Sequence, residues 1–181
     1  MTLRRFETLD AMEQTHKKEV NEFPFIWVFA FTDKEFITQM SEEIKKRKPQ
    51  CSGITTMDGI KKHVVGIGAG GYVFKEDEKR MNDMFKQHGE ERKIFNSNKD
   101  NLVKSILSEM NKHEYGYTRD SYDTLFALGK TENDLETDVF FAEAWKKAEQ
   151  KCFDAFDEVY REEKSLERAY GTWRDDYELE G

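Results

Sequence analysis

Residues that could perform acid–base or nucleophilic chemistry are few and scattered along this chain. Among the four histidines, only His113 has an adjacent carboxylate, Glu114, that could orient it as a general base. No serine or cysteine has a spacing that would make it the nucleophile of such a pair. His16 falls on an apolar helix stripe, which is typical of a hydrogen-bonded core residue. The sequence therefore predicts a protein that is not an enzyme, with catalysis at His113 as the weaker alternative.

The glycine cluster Gly66-Ile67-Gly68-Ala69-Gly70-Gly71 matches the GxGxxG pattern of nucleotide-binding loops. Dinucleotide binding requires a helix to start in the loop, so that the helix N-terminus meets the pyrophosphate. Here the strand-like run 72–74 follows instead. We therefore expect a structural loop whose glycines permit positive φ, with an anion or partner contact through backbone N–H groups as the alternative.

The two cysteines, Cys51 and Cys152, are one hundred residues apart, and no CxxC or HxxxH spacing exists. Structural zinc needs four Cys or His ligands, usually in close pairs, so we predict no metal and no cofactor. We expect both thiols to be reduced and structural, with Cys152 on the apolar face of a helix.

Hydrophobic periodicity predicts an α+β protein, in which about six helices pack with a small antiparallel sheet of two or three strands. The predicted strands are a buried run at 25–31, covered on both faces, and two short strands at 63–74 that form a hairpin or a strand–loop–strand. Thr32 and Glu35 have the capping-box spacing that opens a helix. The predicted helices cover 3–20, 33–48, 75–88 with Gly89 as C-cap, 98–113, 120–128, and a last long helix from Thr131 to about 170.

Charge is distributed unevenly along the 181 residues. The chain has 37 acidic and 29 basic residues, a net charge of −8, and residues 132–181 hold 16 of the acidic and 7 of the basic residues. This balance argues against a basic nucleic-acid binder, and no apolar run is long enough to cross a bilayer. We predict an α+β domain of residues 1–131, with residues 132–181 forming a long acidic helix and tail that pack on it or extend from it.

Two interpretations of the acidic segment stay open. One is a solvated helix face with a frayed tail, which keeps a protein soluble. The other is a negative surface for a basic partner, with two aromatic side chains as interface anchors. The candidate partner-binding residues are Asp154, Asp157, Glu158, Glu162, Glu163, Trp173, Asp175, Asp176 and Tyr177.

Three separated motifs resemble a family of small proteins of phages and mobile elements. They are Ala30-Phe31-Thr32-Asp33-Lys34-Glu35-Phe36, then Ile67-Gly68-Ala69-Gly70-Gly71-Tyr72-Val73, and the segment from His113-Glu114-Tyr115 to Ala127-Leu128-Gly129. Together they span roughly residues 25–140. The resemblance carries no catalytic residues over to this chain.

The resemblance implies a genomic setting in which small acidic anti-defence proteins occur, including inhibitors of CRISPR effector nucleases. From this setting and the charge asymmetry we expect a non-enzymatic inhibitor, acting in the cytoplasm of a bacterial host. Its partner would be a CRISPR effector nuclease, with or without its guide RNA; we expect no membrane contact and no direct binding of duplex DNA. The alternative is a mobile-element accessory or structural module that acts through protein–protein interaction or self-association.

Overall fold

The structure, a computed structural model, describes residues 2–170, and the side chains of these residues apart from 160 and 163–170. Within this range nine helices and three strands follow one another along the chain. The elements are α1 (Leu9–Glu22), β1 (Ile26–Trp27), α2 (Asp33–Arg47), α3 (Met57–Lys61), β2 (Val64–Gly68), β3 (Gly71–Phe74), α4 (Lys75–Asn96), α5 (Lys99–Lys112), α6 (Tyr115–Thr118), α7 (Tyr122–Ala127), α8 (Glu132–Thr137) and α9 (Val139–Tyr170). The predicted α+β class, with a small antiparallel sheet and a long C-terminal helix, is confirmed.

The chain divides into two compact units. The first comprises the residues up to Arg5 and Asp10–Arg92, and the second comprises Phe6–Leu9 and the chain from Lys93 onward. The division into an α+β domain of residues 1–131 and an acidic segment of 132–181 stays a prediction. None of the helices among the described residues combines the length and the apolar character that crossing a membrane requires.

The first unit contains a three-stranded antiparallel sheet in the order β1-β3-β2, so that β1 and β2 are its edges. The hairpin β2–β3 was predicted from its flanking apolar runs and is confirmed. Helix α2 starts as predicted, because the Thr32 side chain accepts a hydrogen bond from the Glu35 N–H at 3.2 Å. The buried core of this unit consists of Ile26, Val28, Met40, Ile44, Ile60, Val64 and Phe74.

The prediction that the apolar run 25–31 is a strand covered on both faces is wrong. Only Ile26 and Trp27 are in β1, and burial alternates along the run. Ile26 and Val28 are buried, whereas the Trp27, Phe29 and Phe31 side chains are 56%, 73% and 102% exposed. Ile26 and Val28 face the core, whereas Trp27 lies on the opposite face of the sheet, which is covered at Val73 but open at Trp27.

Three predicted helix boundaries also differ from the structure. Helix α1 begins at Leu9 and not at Leu3, and α4 continues through Gly89 to Asn96, so Gly89 is not a C-cap. The last helical region is interrupted at Asp138, between α8 and α9. There the Asp138 carboxylate accepts a hydrogen bond from the Phe141 N–H at 3.0 Å, which is a cap that starts a new helix.

The second unit is built around the packing of α5 against α9. Ala144 and Ala148 are fully buried, and their small side chains allow the two helices to approach closely. Tyr115 of α6 stacks on Phe153 and meets Trp145 edge-on. The buried cluster consists of Leu102, Val103, Ile106, Met110, Tyr115, Leu125, Phe141, Ala144, Trp145, Ala148 and Cys152.

Candidate functional site

The acidic face of α9 comprises Asp154, Asp157, Glu158 and Glu162, and all four side chains are exposed. Because residues three and four apart share one side of a helix, these positions form a stripe opposite the buried positions of α9. Arg161 lies among them, so the described part of the face carries four carboxylates and one guanidinium. The arrangement places negative charge on one side of the helix.

Three of these carboxylates have no cationic partner within the described part of the chain. Asp154, Asp157 and Glu158 form no ion pair with a described residue; Asp154 accepts one hydrogen bond, from the Gln150 amide at 2.8 Å. Carboxylates that lie earlier in the sequence of the second unit are paired, as with Glu143 and Lys99. The negative charge at Asp154, Asp157 and Glu158 is therefore open to solvent or to a partner.

The other predicted partner-binding residues fall at the edge of the described range or beyond it. Glu163 belongs to α9, and its side chain lies outside the described residues. Trp173, Asp175, Asp176 and Tyr177 also lie outside them. Their part in a binding surface stays a prediction.

An apolar stripe of α9 continues past the region where other helices cover it. Phe141, Trp145 and Cys152 are buried, whereas Phe156 is half-buried and Val159, on the same side of the helix, is 56% exposed. The described side chains after Phe156 are all exposed. This end of α9 therefore offers an acidic side and an uncovered apolar position.

The pair predicted as a general base and its orienting carboxylate is not assembled as expected. The carboxylate nearest His113 Nε2 is that of Glu109, one turn earlier, at 3.8 Å. Glu114 occupies a left-handed turn with φ 53°, and the hydroxyl of the neighbouring Tyr115 donates to Glu149 at 2.5 Å. These residues terminate α5 and anchor α6 on α9, which is a structural role.

The glycine cluster covers the end of β2, the turn at Ala69 and Gly70, and the start of β3, which fits the predicted structural role. Gly68, Ala69 and Gly70 have φ values of 93°, 48° and 76°, in the left-handed region that glycine adopts without strain. Strand β3 follows directly, so no helix N-terminus meets the loop. Gly70 and Gly71 also permit close contact with aromatic side chains of the β1 segment.

A buried polar network in the first unit was not predicted. Helices α1 and α4 each carry a His-x-x-Glu sequence, and each histidine bonds the glutamate of the other helix. His16 Nε2 is 2.9 Å from Glu91, and His88 Nε2 is 2.6 Å from Glu19. The two imidazole rings stack with centroids 3.9 Å apart, and the Arg4 guanidinium bridges the two carboxylates.

The contacts of this network shift the pKa values of Glu91, Glu19 and His16. Burial opposes ionisation of Glu91, but hydrogen bonds from Arg4, Gln87 and His16 outweigh it and hold the pKa of Glu91 far below its ordinary value. The Arg4 hydrogen bonds also lower the pKa of Glu19. Burial lowers the pKa of His16 despite its bond to Glu91, so its imidazole is neutral at pH 7.

Two imidazoles and two carboxylates form a donor set that divalent metals favour, but here the Arg4 guanidinium supplies the cation. Glu91 is 1% exposed and accepts five hydrogen bonds, three from Arg4 and one each from Gln87 and His16. A carboxylate has about four lone-pair directions, so Glu91 has no acceptor capacity left for a ligand. The network fits a structural link between α1, α4 and the N-terminal segment.

Within the described part of the chain, neither cysteine has a partner that would indicate redox or metal chemistry. Both are free thiols, Cys51 half-buried and Cys152 buried as expected. Burial raises the pKa of the Cys152 thiol, which disfavours the reactive thiolate. Among the described side chains, no group of three or more His, Cys, Asp or Glu could hold a metal ion.

Comparison with protein families gives a match over most of the chain. Residues 8–151 match a family described as a family of unknown function (DUF7659). No curated protein and no solved structure matches the chain. The matched range takes in both units and ends within α9, just before the acidic face. Because the match covers more than half of the sequence, the chain belongs to the DUF7659 family.

Proposed function

We propose that this protein is a non-enzymatic binding protein that docks the acidic face of α9 on a positively charged surface of another protein. The observation that carries the proposal is that Asp154, Asp157 and Glu158 are exposed and have no ion-pair partner among the described residues. Uncompensated carboxylates on one side of a helix attract a complementary surface and accelerate the encounter with it.

The partner in this proposal is a CRISPR effector nuclease, alone or with its guide RNA. Nucleic-acid-binding grooves are lined by Lys and Arg, because their ligand carries a phosphate charge at each nucleotide. A row of carboxylates along a helix competes for such a groove. The resemblance to small proteins of phages and mobile elements supports the same role, an anti-defence protein in the cytoplasm of a bacterial host.

The non-enzymatic part of the proposal draws on how the titratable groups are used. The Glu91 carboxylate already accepts hydrogen bonds at all of its acceptor positions. His16 is neutral and is buried against this carboxylate. His113 faces Glu109 at the end of α5. A substrate reaching His16 would have to displace contacts that hold the fold together, whereas His113 is partly exposed and has a carboxylate one helical turn away but no nucleophile in sequence spacing with it.

Binding and nuclease inhibition are the tests, measured with the full-length chain and a purified effector nuclease at low and high salt. The test variant carries Asp154→Lys, Asp157→Lys and Glu158→Lys. We expect it to bind at least about tenfold more weakly than the unmodified chain, because three attractive charges become repulsive. Raising the ionic strength from about 0.01 M to 0.15 M shortens the screening length from about 30 Å to about 8 Å, so the unmodified chain should also bind more weakly.

A matched control separates the acidic face from net charge. The variant Glu7→Lys, Glu42→Lys and Glu136→Lys changes the net charge by the same amount at exposed positions that are not part of the acidic face. It should inhibit as well as the unmodified chain. Equal loss in both variants, or undiminished inhibition by the test variant, would exclude docking through the acidic face.

A second candidate function is a mobile-element accessory module that self-associates through α9. Val159 favours it, since an exposed β-branched residue on the apolar stripe of a long helix is suited to packing against another helix. This candidate requires a concentration-dependent oligomer that Val159→Lys dissociates. Light scattering at several concentrations measures this directly.

A further inference from the structure

The open edge of β1 exposes backbone groups that could pair with another strand. Among the residues that the structure describes, β1 pairs only with β3, with Trp27 opposite Gly71. The ladder extends to Val28, whose N–H donates to the Gly70 carbonyl at 3.0 Å. In an antiparallel ladder, residues alternate between bonding the neighbour and pointing their N–H and C=O away from it. Val28 bonds β3, so Trp27 and Phe29 direct their backbone groups to the open edge.

Three aromatic side chains accompany this edge: Trp27, Phe29 and Phe31, here named the aromatic strip. Glycines of β3 and its turn make room for two of the rings. A Cβ on Gly71 would lie 2.9 Å from Trp27 Cζ3, and a Cβ on Gly70 would lie 3.0 Å from Phe29 Cε1. Both rings therefore contact the glycine backbone on the β3 side, which leaves the opposite edge accessible.

We propose that this edge binds β1 of a second copy of the chain, antiparallel and with its two-fold axis at Val28. The register of this pairing is set by the backbone N–H groups that already donate hydrogen bonds within the chain. The Phe25 N–H donates to the Phe23 carbonyl, and the Phe31 N–H donates to the Glu35 carboxylate. Pairing centred on Val28 places the outward N–H and C=O groups of Trp27 opposite those of Phe29 in the other copy. A centre at Trp27 or Phe29 would instead use Phe25 or Phe31, whose N–H groups are already bonded.

This register is self-complementary in its side chains as well. Trp27 of each copy lies directly opposite Phe29 of the other, which gives two aromatic pairs across the junction. A strand from a different protein would satisfy the backbone equally well, but it would have to bring matching aromatic side chains of its own. One sequence supplies both sides here, and the product is a six-stranded sheet.

The exposed area is of the size that a dimer needs. Aromatic side chains bury about 150–250 Å² each, so exposures of 56%, 73% and 102% leave about 450 Å² of the aromatic strip accessible. A stable interface takes about 800 Å² from each partner. The three rings supply about half of this area, and the edge backbone with neighbouring side chains such as Ile67, itself 36% exposed, adjoins them.

The test is the mass of the full chain in solution, followed by sedimentation over about 1 to 200 µM, because dimerisation follows mass action. We expect the mass to rise towards twice the 21.4 kDa of the monomer. The variant Trp27→Lys and Phe29→Lys should weaken association at least about tenfold. The control Tyr122→Lys and Phe126→Lys, at side chains 68% and 75% exposed on α7, should leave association unchanged.

Backbone amide exchange tests the register independently. The N–H groups of Trp27 and Phe29 should become protected as the concentration rises, whereas the Val28 N–H, already bonded to Gly70, should not change. Circular dichroism should show that the Lys variants fold, since they replace exposed side chains. A monomer at every concentration, or a dimer that Val159→Lys dissociates and the aromatic-strip variant does not, would overturn the proposal. Neither outcome depends on the acidic face, which belongs to the other unit.

Discussion

Removing the Glu91 carboxylate is expected to destabilise the protein strongly. Glu91 is the buried centre of the polar network, with its side chain fully inaccessible. Glu91→Ala removes three of the hydrogen bonds that Arg4 donates and the one between His16 and Glu91, while Arg4 keeps its bonds to Glu19 and both side chains still bear the cost of their burial. Glu91→Gln keeps the shape of the side chain and one acceptor oxygen but removes the charge.

The magnitude follows from what remains buried. Breaking a buried ion pair by removing one partner costs about 3–5 kcal/mol. The Arg4 side chain is 32% exposed, so water can reach part of the guanidinium and the lower end, about 3 kcal/mol, is expected. Glu91→Gln should cost about 1.5–3 kcal/mol, the range for hydrogen bonds to charged groups.

Urea unfolding followed by circular dichroism measures these changes. With a slope of about 2 kcal/mol per molar urea, Glu91→Ala should lower the midpoint by about 1.5 M. Glu42→Ala, at an exposed position in α2, should leave the midpoint unchanged. Adding Arg4→Ala to Glu91→Ala should cost less than Arg4→Ala alone, because the pair is then already broken. A midpoint shift below about 0.3 M for Glu91→Ala would refute the assignment of the network as the link between these segments.

Two further predictions concern pH and packing. The pKa of His16 is lowered in the folded chain. At a pH just below the ordinary histidine pKa of about 6.5, the unfolded chain therefore binds a proton at this residue and the folded chain does not. The melting temperature should fall as the pH drops through this range. His16→Gln should remove this fall in melting temperature near pH 6.5. A second fall below about pH 4.5 should remain, because the pKa values of Glu19 and Glu91 are lowered in the folded chain, so these carboxylates bind protons at higher pH in the unfolded chain than in the folded one. Phe141→Ala, at a side chain 2% exposed in the core of the second unit, should cost about 3–5 kcal/mol in urea unfolding; a loss below about 1 kcal/mol would show that the site collapses around the cavity.

Elements whose signals are local could be predicted from the sequence. The Thr32–Glu35 spacing located the start of α2, because a capping interaction is made within one turn of helix. The hairpin at the glycine cluster was predicted for the same reason, as its turn needs positive φ within a few residues. Helix α4 is a counterexample. Phe95 is buried beyond Gly89, so the apolar stripe continues through the glycine that was predicted to end the helix.

Properties that depend on distant elements could not be predicted. Seven apolar residues in a row at 25–31 indicate a strand buried on both faces, but burial depends on how many elements cover the sheet. The sequence does contain a pattern that fits the polar network. His16 and Glu19 are three residues apart and share a helix face, and the same holds for His88 and Glu91. The sequence does not state that the two helices align these pairs, nor that Arg4 reaches both carboxylates.

The uncompensated charge on α9 follows from a mismatch of helix lengths as well as from composition. The 32 residues of α9 span about 48 Å, whereas the 14 residues of α5 span about 21 Å. Early carboxylates therefore meet cations from other elements: Lys130 bonds Asp134 and Asp138, and Lys99 pairs with Glu143. By Asp154 the helix has passed the end of the α5 packing. Arg119, which follows α6, stacks on Phe153, but no cation among the described residues forms an ion pair with Asp154, Asp157 or Glu158. Composition makes residues 132–181 acidic. Because α9 is longer than α5, its residues Asp154, Asp157 and Glu158 lie beyond the α5 packing and are available to a basic partner in the function we propose.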